Sequence, residues 1–428
     1  MKVLVVGSGG REHALTWALH RSPHVHEIHV APGNGGTAEL ATNVPIKAED
    51  VPALTQYAVE QAFDLVVIGP EMPLALGLSD TLREKGLRVF GPSSQAARLE
   101  TSKAFSKEFM RTHGIPTAEY AIFDRYDEAL AYLNRHPAPI VVKASGLAGG
   151  KGAIVCETDP EAIGALDRIM VERVFGPAGD QVVIEECLRG QEVTVLAFTD
   201  GHTVLPMIQA QDHKAAYDGD NGPNTGGMGT LAPAPLLDEK LLQRVMDQTL
   251  QPAVDGMRQV GTPYVGVLYA GLMVCEDTFH VLEFNCRFGD PEAQAILPLL
   301  ETDLVEVMEA CIDGTLERLS LKWASKSCVC VVMASRGYPN RYRTGFEISG
   351  LEEVAKLSDT MVFHAGTARQ EGRIVTAGGR VLGVTAWADD LPSAIDRAYA
   401  AVHQIHWPGA MYRKDIGAKG LQTLGGNR

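Results

Sequence analysis

The stretch that most constrains this chain is HVLEFNCRFGDPEAQAILPLL, residues 280–300. It opens as an alternating strand, turns at Arg287 to Pro291, and continues as an apolar-periodic helix. Residues two apart on a strand share a face, so Glu283 and Asn285 present a carboxylate and an amide oxygen to the same side. Two such oxygens suit a hard cation of the Mg²⁺ type, which keeps several waters and fills its shell with substrate phosphate oxygens. Arg287 extends the row with a guanidinium that can fork onto a carboxylate or phosphate. The row reads as a phosphoryl-transfer centre; an edge strand with a solvated polar face has the same spacing.

At 428 residues the chain exceeds one ordinary core, and roughly 150 residues per domain gives about three. Its 45% hydrophobic and 21% charged residues are those of a soluble globular protein. A net charge of -15 argues against extended contact with nucleic acid, while leaving room for a local basic pocket. The seven cysteines are scattered without a CxxC pair, which favours reduced thiols over a zinc site or a disulfide framework. No apolar run reaches the length of a membrane span, and the expected location is the cytoplasm.

From the N-terminus, a short apolar run at 2–6 leads through GSGGRE (7–12) into a helix carrying Ala14, Leu15, Trp17, Ala18 and Leu19. Glycines at such a turn let an anion approach the free N–H groups of the helix. Glu12 takes the place of the third glycine of the dinucleotide fingerprint, and the next strand ends in PGNGG with no acidic residue for a ribose, so NAD is disfavoured. Further strand ends carry GPEMPLALG (69–77) and GPSS (91–94). Together they describe an open α/β domain with its loops at one sheet edge, or simply a set of ordinary turns.

A helix starting near Ser102 carries Lys103 in its first turn, where a cation opposes the helix dipole; a nearby phosphate or plain tolerance accounts for it equally. Two strand-like runs then flank SGLAGGKG, with Lys143 at the end of the first. A glycine loop between antiparallel strands can fold over nucleotide phosphates, and Gly152 after Lys151 breaks the Walker pattern. The segment 181–198 reads as two strands about LRGQ, a candidate adenine hinge with Glu192 near the ribose. Residues 207–229 form a long polar loop containing Asp212, His213 and Lys214; a loop of that length is usually functional. Beyond about 320, four strand-like runs and a final helix carry no evident catalytic group and are expected to shape the site.

The glycine loops, the paired lysines and the 283–285 row together resemble the ATP-grasp superfamily. GSGGREHAL (7–15), GPEMPLALG (69–77), DHKAAYDGDNGPNTGGMG (212–229), RFGDPEAQ (287–294) and HAGT (364–367) resemble the phosphoribosylamine–glycine ligase family within it, essentially end to end and with no departure at the motif positions. The resemblance implies an α/β architecture: an N-terminal open parallel-sheet domain (1–101), an ATP-grasp domain (102–320) with a lid subdomain at about 120–190, and a C-terminal mixed α/β domain (321–428). It implies ligation of glycine to 5-phosphoribosylamine in purine biosynthesis, through glycyl phosphate, with ATP as cosubstrate and Mg²⁺ or Mn²⁺ as cofactor. Nothing suggests a fusion with later purine enzymes.

Carried over residue by residue, the resemblance assigns the metal to Glu283 and Asn285. It assigns ATP to Lys103, Lys143, Ser145, Gly146, Gly149, Gly150, Lys151, Gly152, Glu185, Glu186, Leu188 and Glu192. Gly9, Gly10, Arg11, Glu12, Asn34, Glu71 and Pro73 are left for the phosphoribosyl substrate. Asp212, Lys214 and Arg287 are the catalytic candidates, Asp212 and Arg287 for the ammonium and carboxylate of glycine. The implied partners are small molecules, with no nucleic acid and no membrane, and a transient contact with the enzyme that makes phosphoribosylamine. A related carboxylase using bicarbonate, or a nucleotide sensor without turnover, would share the glycine loops.

Overall fold

The computed structural model describes residues 1–276 and 278–426. The N-terminal hundred residues build a five-stranded parallel sheet in the order Thr42–Asn43, Glu27–Pro32, Lys2–Gly7, Leu65–Ile68, Val89–Phe90. Lys2–Gly7 is buried on both faces: Leu4 and Val6 join one apolar core, Val3 and Val5 another, which explains its unbroken apolar run. The sheet order reverses beside this strand, so the loops after Gly7 and Ile68 meet at its carboxyl edge, where ligands of open α/β sheets bind.

Next in the chain, Tyr120–Phe123, Val182–Glu186, Ile140–Ala144 and Ala153–Cys156 pair antiparallel in that order. With the helices Tyr126–Leu133 and Asp159–Leu166 they enclose a separate small core around Val142, Ile184 and Leu166. A second antiparallel sheet runs Val204–Pro206, Gln191–Asp200, Val265–Cys275, Thr278–Asn285. On its last strand Leu272 pairs with Val281 and Gly271 with Glu283, leaving Leu282 as an extra residue. This bulge resets the alternation just ahead of Glu283 and turns the Leu282 carbonyl toward Lys143 Nζ at 3.3 Å.

The third sheet joins Gln211–Asp212, Gly229–Ala232, Ser327–Ser335, Arg380–Ala388 and Thr360–His364, with Ala410–Met411 also on Ser327–Ser335. Its first two strands come from the stretch read from sequence as a loop. They are two and four residues long; Gln211–Asp212 pairs with Gly229–Ala232, which in turn pairs with Ser327–Ser335 about a hundred residues away, a signal that local periodicity cannot carry. The rest of that stretch is a hairpin, Ala215–Tyr217 with Asn221–Asn224, turning through Gly219 at φ 69°. Arg413, fully buried, clasps it by donating to the Ala215 carbonyl at 3.2 Å and to Asp220 at 3.0 Å. Among the described residues no helix is long and apolar enough to cross a membrane.

Candidate active site

The three antiparallel sheets and the loop after Ile68 meet around an open cleft of about 1180 Å³. Lys103, Lys143, Asp212, Glu283, Asn285 and Arg287 all line it, although they come from a helix, the small sheet, the strand Gln211–Asp212, and the bulged strand with the turn after it. Asn285 Nδ2 lies 3.5 Å from Glu283 Oε1, and its Oδ1 accepts from Arg287 Nη2 at 3.1 Å, so the three side chains do form a row. Burial pushes the Glu283 carboxyl up, but Lys214, then Lys103 and Lys143, outweigh it and hold it at about 2. Lys214 sits between two carboxylates, 3.3 Å from Glu192 and 3.6 Å from Glu283.

Arg287 is already well engaged: Nη2 meets Glu100 at 2.9 Å, Nη1 donates to the Phe288 carbonyl at 3.2 Å, and Nε, 3.4 Å from Glu71, has no hydrogen bond. Burial raises the Glu100 carboxyl despite this guanidinium. Glu71 lines the cleft beside it, whereas Pro73 packs inside the helix Glu71–Ala75.

The phosphate-loop residues divide. Ser102 caps the helix Lys103–Thr112, and Ser145 joins it there, its carbonyl accepting from Lys103 N at 2.8 Å and its hydroxyl from Ala104 N at 3.1 Å. Lys103 Nζ reaches the Gly146 carbonyl at 3.4 Å, and burial lowers its pKa. Gly149 and Gly150 take left-handed φ values of 57° and 76°, which favour glycine. They and Gly152 line the cleft. Lys151 points away, donating to the Pro339 carbonyl at 3.0 Å. Glu185 is buried in ion pairs with both Lys143 and Lys107. Glu186 is exposed, Leu188 lies outside the lining, and Glu192 reaches the site only through Lys214.

At the N-terminal loops, Gly9 N donates to Glu12 Oε2 at 2.6 Å and Arg11 Nε to Glu12 Oε1 at 2.6 Å. Glu12 is 2% exposed and fills the space beside Gly69, where a Cβ would stand 2.1 Å from its Oε1. Gly10 packs against Gln294. Arg11 Nη1 donates to the Phe288 carbonyl at 3.1 Å and its backbone N to Asp290 at 3.3 Å, which docks this loop on the RFGD turn. Asn34 Nδ2 bridges the Ser8 and His364 carbonyls at 2.9 and 2.8 Å, tying in HAGT.

The sequence reading passed over Lys107, Glu100, Tyr269, Glu292 and Arg380. Lys107 lies one turn after Lys103, a spacing that puts both on one helix face. Tyr269 donates to Glu292 Oε1 at 2.9 Å. Asp212 feels burial first and Glu292 second, and both raise its carboxyl well above the usual range. Arg380 comes from the C-terminal part, where no catalytic group was evident. Its Nη1 donates to the carbonyls of Gly226 at 2.6 Å and Asp290 at 2.7 Å, and Tyr338 Oη accepts from Gly226 N at 3.2 Å.

A carboxylate and an amide oxygen are donors of the kind that Mg²⁺ takes; among the described residues no group of three or more His, Cys, Asp or Glu could hold a metal.

Three family models match in succession: phosphoribosylglycinamide synthetase N domain over residues 1–100, ATP-grasp (A) domain over 101–293, and C domain over 328–419. The chain is 51% identical over 428 residues to phosphoribosylamine–glycine ligase of Rhodopirellula baltica, covering 98% of each. It is also 51% identical to the trifunctional purine biosynthetic protein adenosine-3 of Homo sapiens, matching 99% of this chain and 42% of that protein. Among solved structures, phosphoribosylamine–glycine ligase of Thermotoga maritima superposes with a TM-score of 0.85 at 31% identity, over 97% of this chain and 100% of that one. The biotin carboxylase domain of Hydrogenobacter thermophilus 2-oxoglutarate carboxylase, in complex with MgADP and bicarbonate, shares the fold at 18% identity and a TM-score of 0.75, over 96% of this chain and 91% of that one. This chain therefore belongs to the phosphoribosylglycinamide synthetase family and carries the three domains of that family, the central one an ATP-grasp fold.

Proposed function

We propose that this chain ligates glycine to 5-phosphoribosylamine, consuming ATP and giving glycinamide ribonucleotide, ADP and phosphate, as a step of purine biosynthesis. The observation that carries the reading is one cleft holding Lys103, Lys143, Asp212, the 283–287 row and the glycine loop, in a chain similar along its length to ligases of that name.

A carboxylate acylates an amine poorly until an oxygen becomes a leaving group. In this reading a carboxylate oxygen of glycine attacks the γ-phosphorus of ATP, ADP leaves, and glycyl phosphate forms; the amine of phosphoribosylamine then attacks the acyl carbon and releases phosphate. Lys103 and Lys143 hold ATP phosphates, residues 145–152 cover them, and backbone groups at 185–188 take the base, since the Glu185 carboxylate is committed to lysines. Glu283 and Asn285 would hold Mg²⁺ or Mn²⁺, which neutralises charge on the transferring phosphate. Arg287 orients the glycine carboxylate and Asp212 its ammonium. The phosphoribosyl group lies toward Gly9, Gly10, Arg11 and Asn34. Glycyl phosphate hydrolyses in water, so the sheet at 120–186 acts as a lid that excludes it.

Asp212→Asn is expected to raise the KM for glycine and leave that for ATP unchanged. An unchanged glycine KM removes the assignment of Asp212.

A further inference from the structure

The hairpin of Ala215–Tyr217 with Asn221–Asn224 has Lys214 and Thr225 at its base, and both line the cleft. Residues 217–224 are all exposed, so the hairpin has no core of its own, and an isolated two-stranded hairpin is marginal at best in water. At the base, the Lys214 carbonyl accepts from Thr225 N and from Thr225 Oγ1, each at 2.8 Å. Lys214 Nζ reaches on to Glu192 and Glu283, and the Thr225 carbonyl stands 3.8 Å from where a Cβ on Gly150 of the glycine loop would be. Whatever fixes the hairpin therefore fixes Lys214 against the metal row.

Residues 413–419 do this from the C-terminal domain. Arg413 is 1% exposed, and its guanidinium is forked between two segments. Nε and Nη2 donate to the two oxygens of Asp415 at 2.8 and 2.7 Å, while Nη1 donates to the Ala215 carbonyl and to Asp220 in the hairpin. Asp415 also accepts from Gly219 N at 2.8 Å, Asp218 accepts from Lys414 N at 2.7 Å, and Lys419 pairs with Asp220 at 2.5 Å. Beside Lys214, Gly417 N donates to His213 Nε2 at 3.4 Å, which leaves Nδ1 to donate to the Gly229 carbonyl at 3.2 Å. The segment is itself anchored. Ala410–Met411 pairs with Ser327–Ser335, and the Tyr399 hydroxyl donates to the Arg413 carbonyl at 2.7 Å and accepts from Ile416 N at 3.0 Å. A planar guanidinium fork sets the separation of its partners more tightly than a flexible ammonium can.

We infer that Arg413 is a positioning residue of the reaction, acting through the hairpin on Lys214, which it holds at the metal row. The inference rests on the ligase reading for the reaction whose rate reports it. Lys214 stands between two carboxylates, so a hairpin free to shift misplaces its charge relative to Glu283. A misplacement of about 1 Å caused far from the chemistry can slow it by roughly a hundredfold. A residue that only stabilised the fold would not slow the molecules that remain folded.

The test is a double-mutant cycle in the full chain: wild type, Arg413→Lys, Lys214→Met and the double variant. Each is assayed by ADP release at saturating ATP, glycine and phosphoribosylamine, and by amide exchange at Thr225 with Mg²⁺ and a non-hydrolysable ATP analogue. Arg413→Lys keeps the charge and loses the fork. It is expected to lower kcat by roughly tenfold or more, to speed exchange at Thr225, and to add nothing to Lys214→Met in the double variant. An unchanged kcat in Arg413→Lys or in Lys214→Met, or losses that multiply in the double variant, overturns the inference and leaves Arg413 a structural clasp. If Arg413→Lys does not fold, Asp220→Ala, which opens the clasp from its exposed side, takes its place in the cycle and is judged the same way. If wild type releases no ADP with glycine and phosphoribosylamine, the ligase reading falls and exchange alone decides. Faster exchange at Thr225 with Ser327–Ser335 unaltered then supports positioning of the hairpin by Arg413, and unaltered exchange at Thr225 overturns it.

Discussion

Arg380 donates through Nη1 to the Asp290 carbonyl at 2.7 Å and faces the Asp290 carboxylate through Nη2 at 3.4 Å. The C-terminal domain thereby grips the turn that follows Arg287, and through Gly226 the glycine cluster beside Asp212. Burial alone would lower the Arg380 pKa, but Asp290 and its neighbours raise it, so the guanidinium stays charged inside the protein.

Arg380→Ala leaves a buried carboxylate short of its cation, a loss of about 3–5 kcal/mol in comparable pairs. The thermal midpoint is expected to fall and the glycine KM to rise more than that for ATP. Arg380→Lys should recover part of the stability, but its point charge cannot reach both carbonyls as the guanidinium fork does. Unchanged glycine kinetics in both variants would show that the clasp is only structural.

Lys143 and Lys107 share Glu185, but they should separate kinetically. Burial raises the Glu185 carboxyl, yet Lys143 and then Lys107 pull it below its usual value. Lys107 also donates to Thr117 at 2.8 Å, which anchors it in the protein. Lys143→Met is expected to raise the KM for ATP by roughly tenfold or more, the loss of one charge-assisted phosphate contact. Lys107→Met should lower the thermal midpoint with a smaller effect on that KM. The reverse ranking would reassign the phosphate contact to Lys107.

Acid should unfold the protein in two stages. His213 and His364 are buried, with further lowering from Arg413 and Arg369 respectively, and both sit at about 4 against an ordinary 6.5. Between those values the unfolded chain binds protons that the folded one does not, so stability falls as pH drops from 6.5 toward 4. Asp415 is held at about 2 against 3.8, chiefly by Arg413 working against burial. Its share of stability is present above 3.8 and is lost between 3.8 and 2. His364→Asn should flatten the first stage in a series of midpoints against pH. An identical slope would place the first stage elsewhere.

The glycine loop at 145–152 should lose amide protection when nucleotide is absent. Its lysine contact to Pro339 is a single hydrogen bond, and the small sheet behind it has a core of its own. Hydrogen exchange with and without the ATP analogue checks this, and equal protection in both states would argue against a lid.

The sequence made the row of Glu283, Asn285 and Arg287 legible because Glu283 and Asn285 both follow the bulge at Leu282, so a strand's two-residue period holds between them. The N-terminal sheet was legible from apolar runs ending in glycine, since both faces of a parallel strand are buried. What could not be read was anything assembled across distance. Arg380 lies ninety residues from Asp290, Tyr269 is a lone aromatic on an apolar strand, and Glu292 looks like an acidic first-turn residue of a helix. The short strand at 229–232 pairs with the distant Ser327–Ser335, and 211–212 pairs in turn with 229–232. Glu12 illustrates the opposite limit. It stood in a phosphate-loop motif, and the fold uses it to brace Gly9 and Arg11.

The most direct measurement is ADP release with Mg²⁺, ATP and glycine, with and without phosphoribosylamine generated in place from ribose 5-phosphate and ammonia. The account predicts ADP and glycinamide ribonucleotide only when glycine and the phosphoribosylamine mixture are both present. Turnover with bicarbonate in place of glycine, or ATP binding with no turnover under any combination, would contradict it.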